Sequence, residues 1–278
     1  MIINWFPGHM TKSLREIEES IKLVDAVVYV LDARAPLSCI NPAFEKIISG
    51  KPVVYALNKA DTVPEGDLPA WIDKLSVGNN IAVKLNSTAS NAAGVISDRL
   101  KVLCSNKIER KRSKGIRAVV RAMIIGVPNS GKSTLINNLC GKAKTVTGNK
   151  AGVTRGQQWV KVSEYLEVLD TPGTLYPKLD NQTVALNLAF IGSVRDEVVD
   201  TYELSLELIK RLTETGDGIE YRYGFSPCGS AVDDLGEIAR RRGFMLKGGQ
   251  PDLERASHAV IDDFRKGRMG KIILEKAL

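Results

Sequence analysis

Residues 126–133 read G-V-P-N-S-G-K-S, a complete phosphate-binding loop of the G-x-x-x-x-G-K-[ST] form. Its glycines let the backbone curl until successive N–H groups face a phosphate. Lys132 supplies a point charge for the β and γ oxygens, and the Ser133 hydroxyl can ligate Mg²⁺ directly. Asn129, Ser130, Gly131 and Thr134 complete the cradle. D-T-P-G at 170–173 begins 37 residues after Ser133. There Asp170 can support Mg²⁺ through a water, and Gly173 can offer its N–H to a γ-phosphate. Between the two, G-V-T at 152–154 lies in the Gly- and polar-rich stretch 147–157. That position suits Thr154 as a second direct Mg²⁺ ligand and γ-phosphate sensor.

A base selector is also present. N-K-A-D occupies 58–61, directly after an apolar run. Asp61 can accept both the N1–H and the 2-amino group of guanine, a donor pair that adenine does not offer. Asn58 can hold the base's other edge and the neighbouring loops, the Lys59 stem can lie along the base face, and Ala60 spaces them. Alone, this tetrapeptide could be a helix-initiating turn; next to a phosphate loop it reads as guanine recognition. Asn86 and Ser87, ahead of Thr88, stand where a third base contact belongs.

These loops need a sheet to hold them. Apolar runs at 25–31, 52–57, 81–85, 118–125, 159–162 and 166–169 predict strands. Helical spacing at 12–23, 41–49, 67–77, 91–104 and 131–140 alternates with them, and Ser13 with Glu16 has capping-box spacing. The pattern predicts an α/β fold, a mostly parallel sheet with helices on both faces. Beyond about 178 the strand signal fades. Helices are expected at 182–192, 196–214, 231–242 and 252–266, which suggests a second, smaller all-α domain over 179–278 after a nucleotide domain over 1–178.

The motif order is reversed. A phosphate-binding GTPase ordinarily presents its phosphate loop first and N-K-x-D last, yet here Asn58 precedes Lys132 by 74 residues. One nucleotide must touch both, so the same sheet is expected to be joined differently. The junction would be the basic segment 101–121, and the switch at 170–173 would lead straight into the helical part.

Composition bounds the alternatives. The 278 residues are 44% hydrophobic and 26% charged, an ordinary globular balance. No apolar run approaches the ~20 residues of a membrane span, and the first ten residues lack signal-peptide character. Four separated cysteines and two histidines support neither a disulfide framework nor a zinc site. The formal net charge is +7, and 101–121 alone holds eight cations against Glu109. That stretch is either a solvated helix end and linker or a contact to a polyanion such as RNA. Further basic clusters lie at 240–242 and 265–268.

The order N-K-x-D, G-x-P-N-x-G-K-S, D-T-P-G resembles the circularly permuted GTPases. W-F-P-G-H-M at 5–10, D-A-R-A-P at 32–36 and K-G-G at 247–249 are similar to the bacterial ribosome biogenesis GTPase A type, and the likeness spans the chain. It implies a cytoplasmic enzyme using GTP/GDP and Mg²⁺ in a late step of large (50S) subunit assembly. Such a protein binds the precursor and its rRNA in the GTP state and leaves after hydrolysis, with no DNA or membrane partner, as a monomer off the ribosome. The resemblance assigns RNA contact to the C-terminal helices. It also points to His9 as the group that reaches the attacking water and to Asn129 as a K⁺ ligand. The other reading of His9 is a surface or packing histidine. Thr174 stands where many GTPases place a water-orienting glutamine, and Ala151 where relatives often have proline. Two other readings remain: a P-loop metabolic kinase or transferase with an accidental N-K-x-D, and a GTP-dependent RNA-binding module with negligible turnover.

Overall fold

The computed structural model describes residue 3 and residues 8–141, 157–175, 181–216 and 218–277, with 8–11 in backbone only. Six strands form one sheet: β1 (Ala26–Asp32), β2 (Val53–Asn58), β3 (Asn80–Lys84), β4 (Val120–Ile125), β5 (Gln158–Lys161) and β6 (Leu166–Asp170). Their spatial order is β3-β2-β1-β4-β6-β5, all parallel except β5, which pairs antiparallel with β6. Followed from β4 and round to β3, that order becomes 2-3-1-4-5-6. The reversed motifs therefore share one parallel sheet, with the chain opened at a different place.

Every residue of β1 and β2 is buried, as expected for strands covered on both faces. Alternate side chains feed two cores. Val28, Val30, Val54 and Ile124 pack under α5 (Ala92–Leu103) and α7 (Lys132–Cys140). Val27, Tyr29, Leu31 and Met123 join the opposite core with Ile17 of α1 (Gly8–Ser20), Phe44 of α3 (Pro42–Ile47) and Trp71 of α4 (Leu68–Leu75). A short α2 (Pro36–Cys39) follows β1.

Beyond residue 180 the chain forms α8 (Gln182–Phe190), α9 (Thr201–Thr215), α10 (Gly218–Tyr223), α11 (Ala231–Arg241) and α12 (Leu253–Arg265). Side-chain caps set the starts of α8, α9, α11 and α12: Asn181, Asp200, Ser230 and Asp252 each accept from a backbone N–H in the first turn. Leu188, Leu208, Leu235, Val260 and Phe264 belong to the same apolar cluster as Val27 and Tyr29. This helical part thus packs continuously onto one sheet face.

Three local expectations change. Ser13 and Glu16 do not form a capping box, because α1 already begins at Gly8 and places both inside it; Glu16 instead lies 4.0 Å from Lys12. The basic junction contains a further helix, α6 (Ser105–Arg112), which buries no residue and so carries no apolar periodicity to read. The expected helix at 196–214 is a short 3₁₀ turn at Asp196–Val198 followed by α9.

Candidate functional site

The site gathers at the C-terminal ends of β1, β2, β4 and β6, where parallel strands leave their loops on one edge. After β4 the phosphate loop turns into α7. Gly131 has φ +99°, and a Cβ there would lie 2.1 Å from Asn58 Nδ2, so only glycine lets the two loops meet. Asn58 Nδ2 donates to the Ser130 carbonyl at 2.7 Å, and its Oδ1 accepts from Ser87 N–H at 2.9 Å. One buried amide therefore ties the guanine loop, the phosphate loop and the third loop together. Lys59, with φ +59°, donates from Nζ to the Asn129 carbonyl at 3.0 Å. Ala60 N–H bonds Leu85 O, leaving Asp61 exposed beside it. Asn86 accepts from Thr88 N–H and hydroxyl at 2.9 and 2.6 Å, which fixes the third loop.

The phosphate half is electrostatically tense. Lys132 is buried and donates to the Val127 carbonyl at 2.8 Å. Burial pulls its ammonium down to about 8, against the pull of the Asp170 carboxylate. Asp170 is pushed up to about 6 by burial, with Lys132 opposing. Among the described residues its Oδ1 and the Ser130 hydroxyl are buried without a hydrogen-bond partner. A buried carboxylate oxygen with no donor suits a site completed by a hydrated cation. Among the described residues no group of three His, Cys, Asp or Glu could hold a metal alone, so a Mg²⁺ here would depend on Ser133 and nucleotide phosphates. Ser133 and Thr134 stand half-buried in the first turn of α7. At Gly173 a Cβ would meet Pro128 Cα at 2.8 Å and Lys132 Nζ at 2.9 Å, which places this backbone against the lysine.

Two expected residues fall elsewhere. Thr154 lies outside the described residues, and so does the side chain of His9, whose backbone is in the first turn of α1. Thr174 is fully buried, and its hydroxyl donates to the Pro172 carbonyl at 3.1 Å. It cannot orient a water. Asn129 donates from Nδ2 to Gly192 O at 2.6 Å, and the Ser193 hydroxyl donates to Pro128 O at 2.7 Å, so the helical part grips the phosphate loop.

Asp32 and Arg34 carried no assigned role from sequence, although they lie in D-A-R-A-P. A carboxylate at a strand end, beside Asn58 and matching Asp170, was the available signal. Asp32 is fully buried, holds Arg34 through bonds of 2.9 and 2.8 Å, and lies 2.8 Å from Lys59 Nζ. Burial pushes the carboxyl up, but Arg34 and Lys59 outweigh it and hold it well below the usual carboxylate range.

The basic stretches divide sharply. Lys107 pairs with Asp25, Arg117 with Glu164 and Arg121 with Glu167. Arg110, Lys111, Arg112 and Lys114, at the end of α6, have no ion pair among the described residues. In the late clusters Arg265 binds Asp196 and the Ala189 carbonyl, Lys266 binds Asp262, and Arg268 binds Asp263. Those cations hold the fold. Lys247 has no ion pair among the described residues, and Arg242 and Arg255 lie 5.6 and 4.3 Å from the Phe244 ring centroid.

Residues 121–216 match the family model described as a 50S ribosome-binding GTPase. The chain is 37% identical to ribosome biogenesis GTPase A of Bacillus cereus, over 99% of this chain and 94% of that protein. It belongs to the ribosome biogenesis GTPase A family. The Thermotoga maritima member is 31% identical, again over 99% of this chain and 94% of its own length. GNP-bound YlqF from T. maritima superposes with a TM-score of 0.69 at 26% identity, covering 96% of this chain and 98% of that one. A GDP-bound form of T. maritima YlqF gives the same TM-score over 94% and 99%. The likeness covers both the P-loop GTPase sheet and the helical part that follows, over 96% of this chain.

Proposed function

We propose that this protein binds GTP, hydrolyses it to GDP and phosphate, and uses that cycle in a late step of large-subunit ribosome assembly. The observation that supports it most is the 2.7 Å bond from Asn58 to Ser130, because it joins the loop of a guanine selector to that of a phosphate cradle. Asp61 reads the guanine edge while the Lys59 stem covers the base. Asn86 and Ser87 close the base side. Asn129, Ser130, Gly131, Lys132, Ser133 and Thr134 cradle the phosphates. Mg²⁺, held by Ser133 and Thr154 with Asp170 behind a water, would neutralise charge on the β and γ oxygens. A K⁺ at the Asn129 side-chain oxygen would add to that. Gly173 offers its N–H to the γ-phosphate. The family resemblance assigns His9 to orient the attacking water, a role that imidazole chemistry suits.

The partner is the precursor of the large subunit and its rRNA, bound in the GTP state and released after hydrolysis, in the cytoplasm, by a monomer. Arg110, Lys111, Arg112 and Lys114, which have no ion pair among the described residues, and the Phe244 loop with Arg242, Lys247 and Arg255 offer surfaces for phosphate contact. The division at about 178 separates a nucleotide unit from an RNA-contacting one.

The test is phosphate release with and without large-subunit precursors, run beside titrations of fluorescent GDP and ADP. Particles should stimulate release from the wild type and leave His9→Ala almost unstimulated at similar GTP affinity. Asp61→Asn should move preference from guanine to xanthine, since an acceptor oxygen becomes a donor. Comparable GDP and ADP affinities would defeat the guanine assignment, and equal stimulation of both proteins would reject the histidine role.

A further inference from the structure

Lys59 does not stand alone over the base site. Its Nζ is shared between the Asn129 carbonyl, 3.0 Å away, and Asp32 Oδ2, 2.8 Å away. Asp32 sits at the end of β1, in register with Asn58 at the end of β2. Its carboxylate is gripped by the fork of Arg34, through Nε at 2.9 Å and Nη2 at 2.8 Å. The remaining guanidinium nitrogen, Nη1, donates to the carbonyls of Phe264 at 2.8 Å and Arg265 at 3.3 Å. Those are last-turn carbonyls of α12, the negative end of its dipole, where a cation is favoured. The guanidinium also lies 5.0 Å from the Phe264 ring centroid.

The chain beyond α12 reinforces the same corner. Leu274 N–H bonds the Arg34 carbonyl at 2.8 Å, and Ile272 N–H bonds Thr62 O at 2.9 Å, one residue past Asp61. Glu275 accepts from Leu37 N–H at 2.7 Å and from Ser38 N–H at 3.0 Å. The loops after β1 and β2 are thus fastened to the C-terminal end of the chain, not only to each other.

We propose that Asp32 and Arg34 are positioning residues for nucleotide binding, which hold Lys59 over the base face and anchor it to the end of α12. The proposal rests on the guanine-site reading and deepens it. Arg34 never touches the nucleotide. It fixes the carboxylate that fixes the lysine, and the helical part thereby sets how long the base is retained. The consequence is regulatory: whatever pulls the end of α12 away releases Arg34, then Lys59, and shortens nucleotide residence. Because the Lys59 stem meets the face of the base and not its edge, the effect should not depend on the 2-amino group.

The test is dissociation of fluorescent GDP and IDP from Arg34→Gln, Lys59→Met and the double variant, with melting curves to confirm folding. Arg34→Gln should accelerate both nucleotides about tenfold, the scale of a lost charge-assisted bond, and leave the GDP-to-IDP ratio as in the wild type. The double variant should be no faster than Lys59→Met, because both changes remove one arrangement. Arg34→Lys keeps the charge without the fork, so it should fall between wild type and Arg34→Gln; it also serves if the glutamine variant does not fold. Additive effects would overturn the proposal, as would GDP dissociation within twofold of wild type in folded Arg34→Gln or, where that variant does not fold, dissociation from Arg34→Lys equal to wild type. A collapsed GDP-to-IDP ratio would do so too, since it would mean general damage around Asp61. Asp61→Asn is the separate control: if it leaves guanine preference unchanged, the underlying site assignment fails instead.

Discussion

The guanine half and the phosphate half of the site are built on opposite principles. On the guanine side, Asn58 spends both ends of its amide on backbone groups of two other loops, and Lys59 has an ion pair and a carbonyl. Its polar groups are already satisfied. On the phosphate side, Lys132 is buried and lowered, Asp170 is buried and raised, and Asp170 Oδ1 and Ser130 Oγ have no hydrogen-bond partner among the described residues. One half is preorganised; the other holds charges that only a ligand can complete. The base therefore meets a ready surface, while the triphosphate and its cation relieve a penalty that the free protein carries.

The comparison can be broken most directly at Lys132. Lys132→Met should lower GTP affinity about a hundredfold, the loss of charge-assisted bonds to the phosphates, as measured by nucleotide titration. Replacing both buried charges, Lys132→Met with Asp170→Asn, should leave the melting temperature of the nucleotide-free protein unchanged or raised, because neither charge is then left without its partner. A clear drop in that temperature would show that the phosphate half is no more tense than the guanine half. Asn58→Ala should behave in the opposite way. It strands the Ser130 carbonyl and the Ser87 N–H in the interior, so the nucleotide-free protein should lose about 2 kcal/mol in denaturant unfolding.

The smallest effect sharpens the contrast through pH. Asp170 is raised in the fold, so its contribution favours the folded state at pH below about 3.8 and is lost as pH rises through about 6. Lys132 is lowered, so its contribution is full above about 10.5 and is lost as pH falls through about 8. Near pH 7 both groups are charged and both oppose folding. The stability of wild type relative to Asp170→Asn should therefore fall between pH 4 and 6.5, by on the order of 1 kcal/mol, in nucleotide-free protein. A flat difference would remove the tension argued for Asp170. On the guanine side Asp32 has the reverse sign: its depressed carboxyl stabilises the fold above the ordinary aspartate range and loses that contribution only in strong acid.

Much of this architecture was legible in the chain. The strands lie within a residue or two of their apolar runs, most clearly β1 and β2, because a strand buried on both faces must be apolar throughout. The phosphate loop and N-K-x-D were legible for a different reason: their chemistry is local, carried by consecutive residues. What escaped was of two kinds. Helix α6 buries nothing and α10 is six residues long, so neither leaves a periodic imprint. The clusters at 240–242 and 265–268 look alike in sequence, yet Arg265 is locked to Asp196 while Arg242 lies beside Phe244 on the surface.

The sequence by itself determined the strands, the two nucleotide loops and the need for an unusual connection between them, since these depend on residue type and short-range spacing. Tertiary structure decided which charges are spent and which remain available. Asp32 and Lys59 are 27 residues apart, and Arg34 and Phe264 are 230 apart. A charge's role is set by what surrounds it in space, and burial, which gives an ion pair its strength and an orphaned carboxylate its cost, is a property of the packed chain alone.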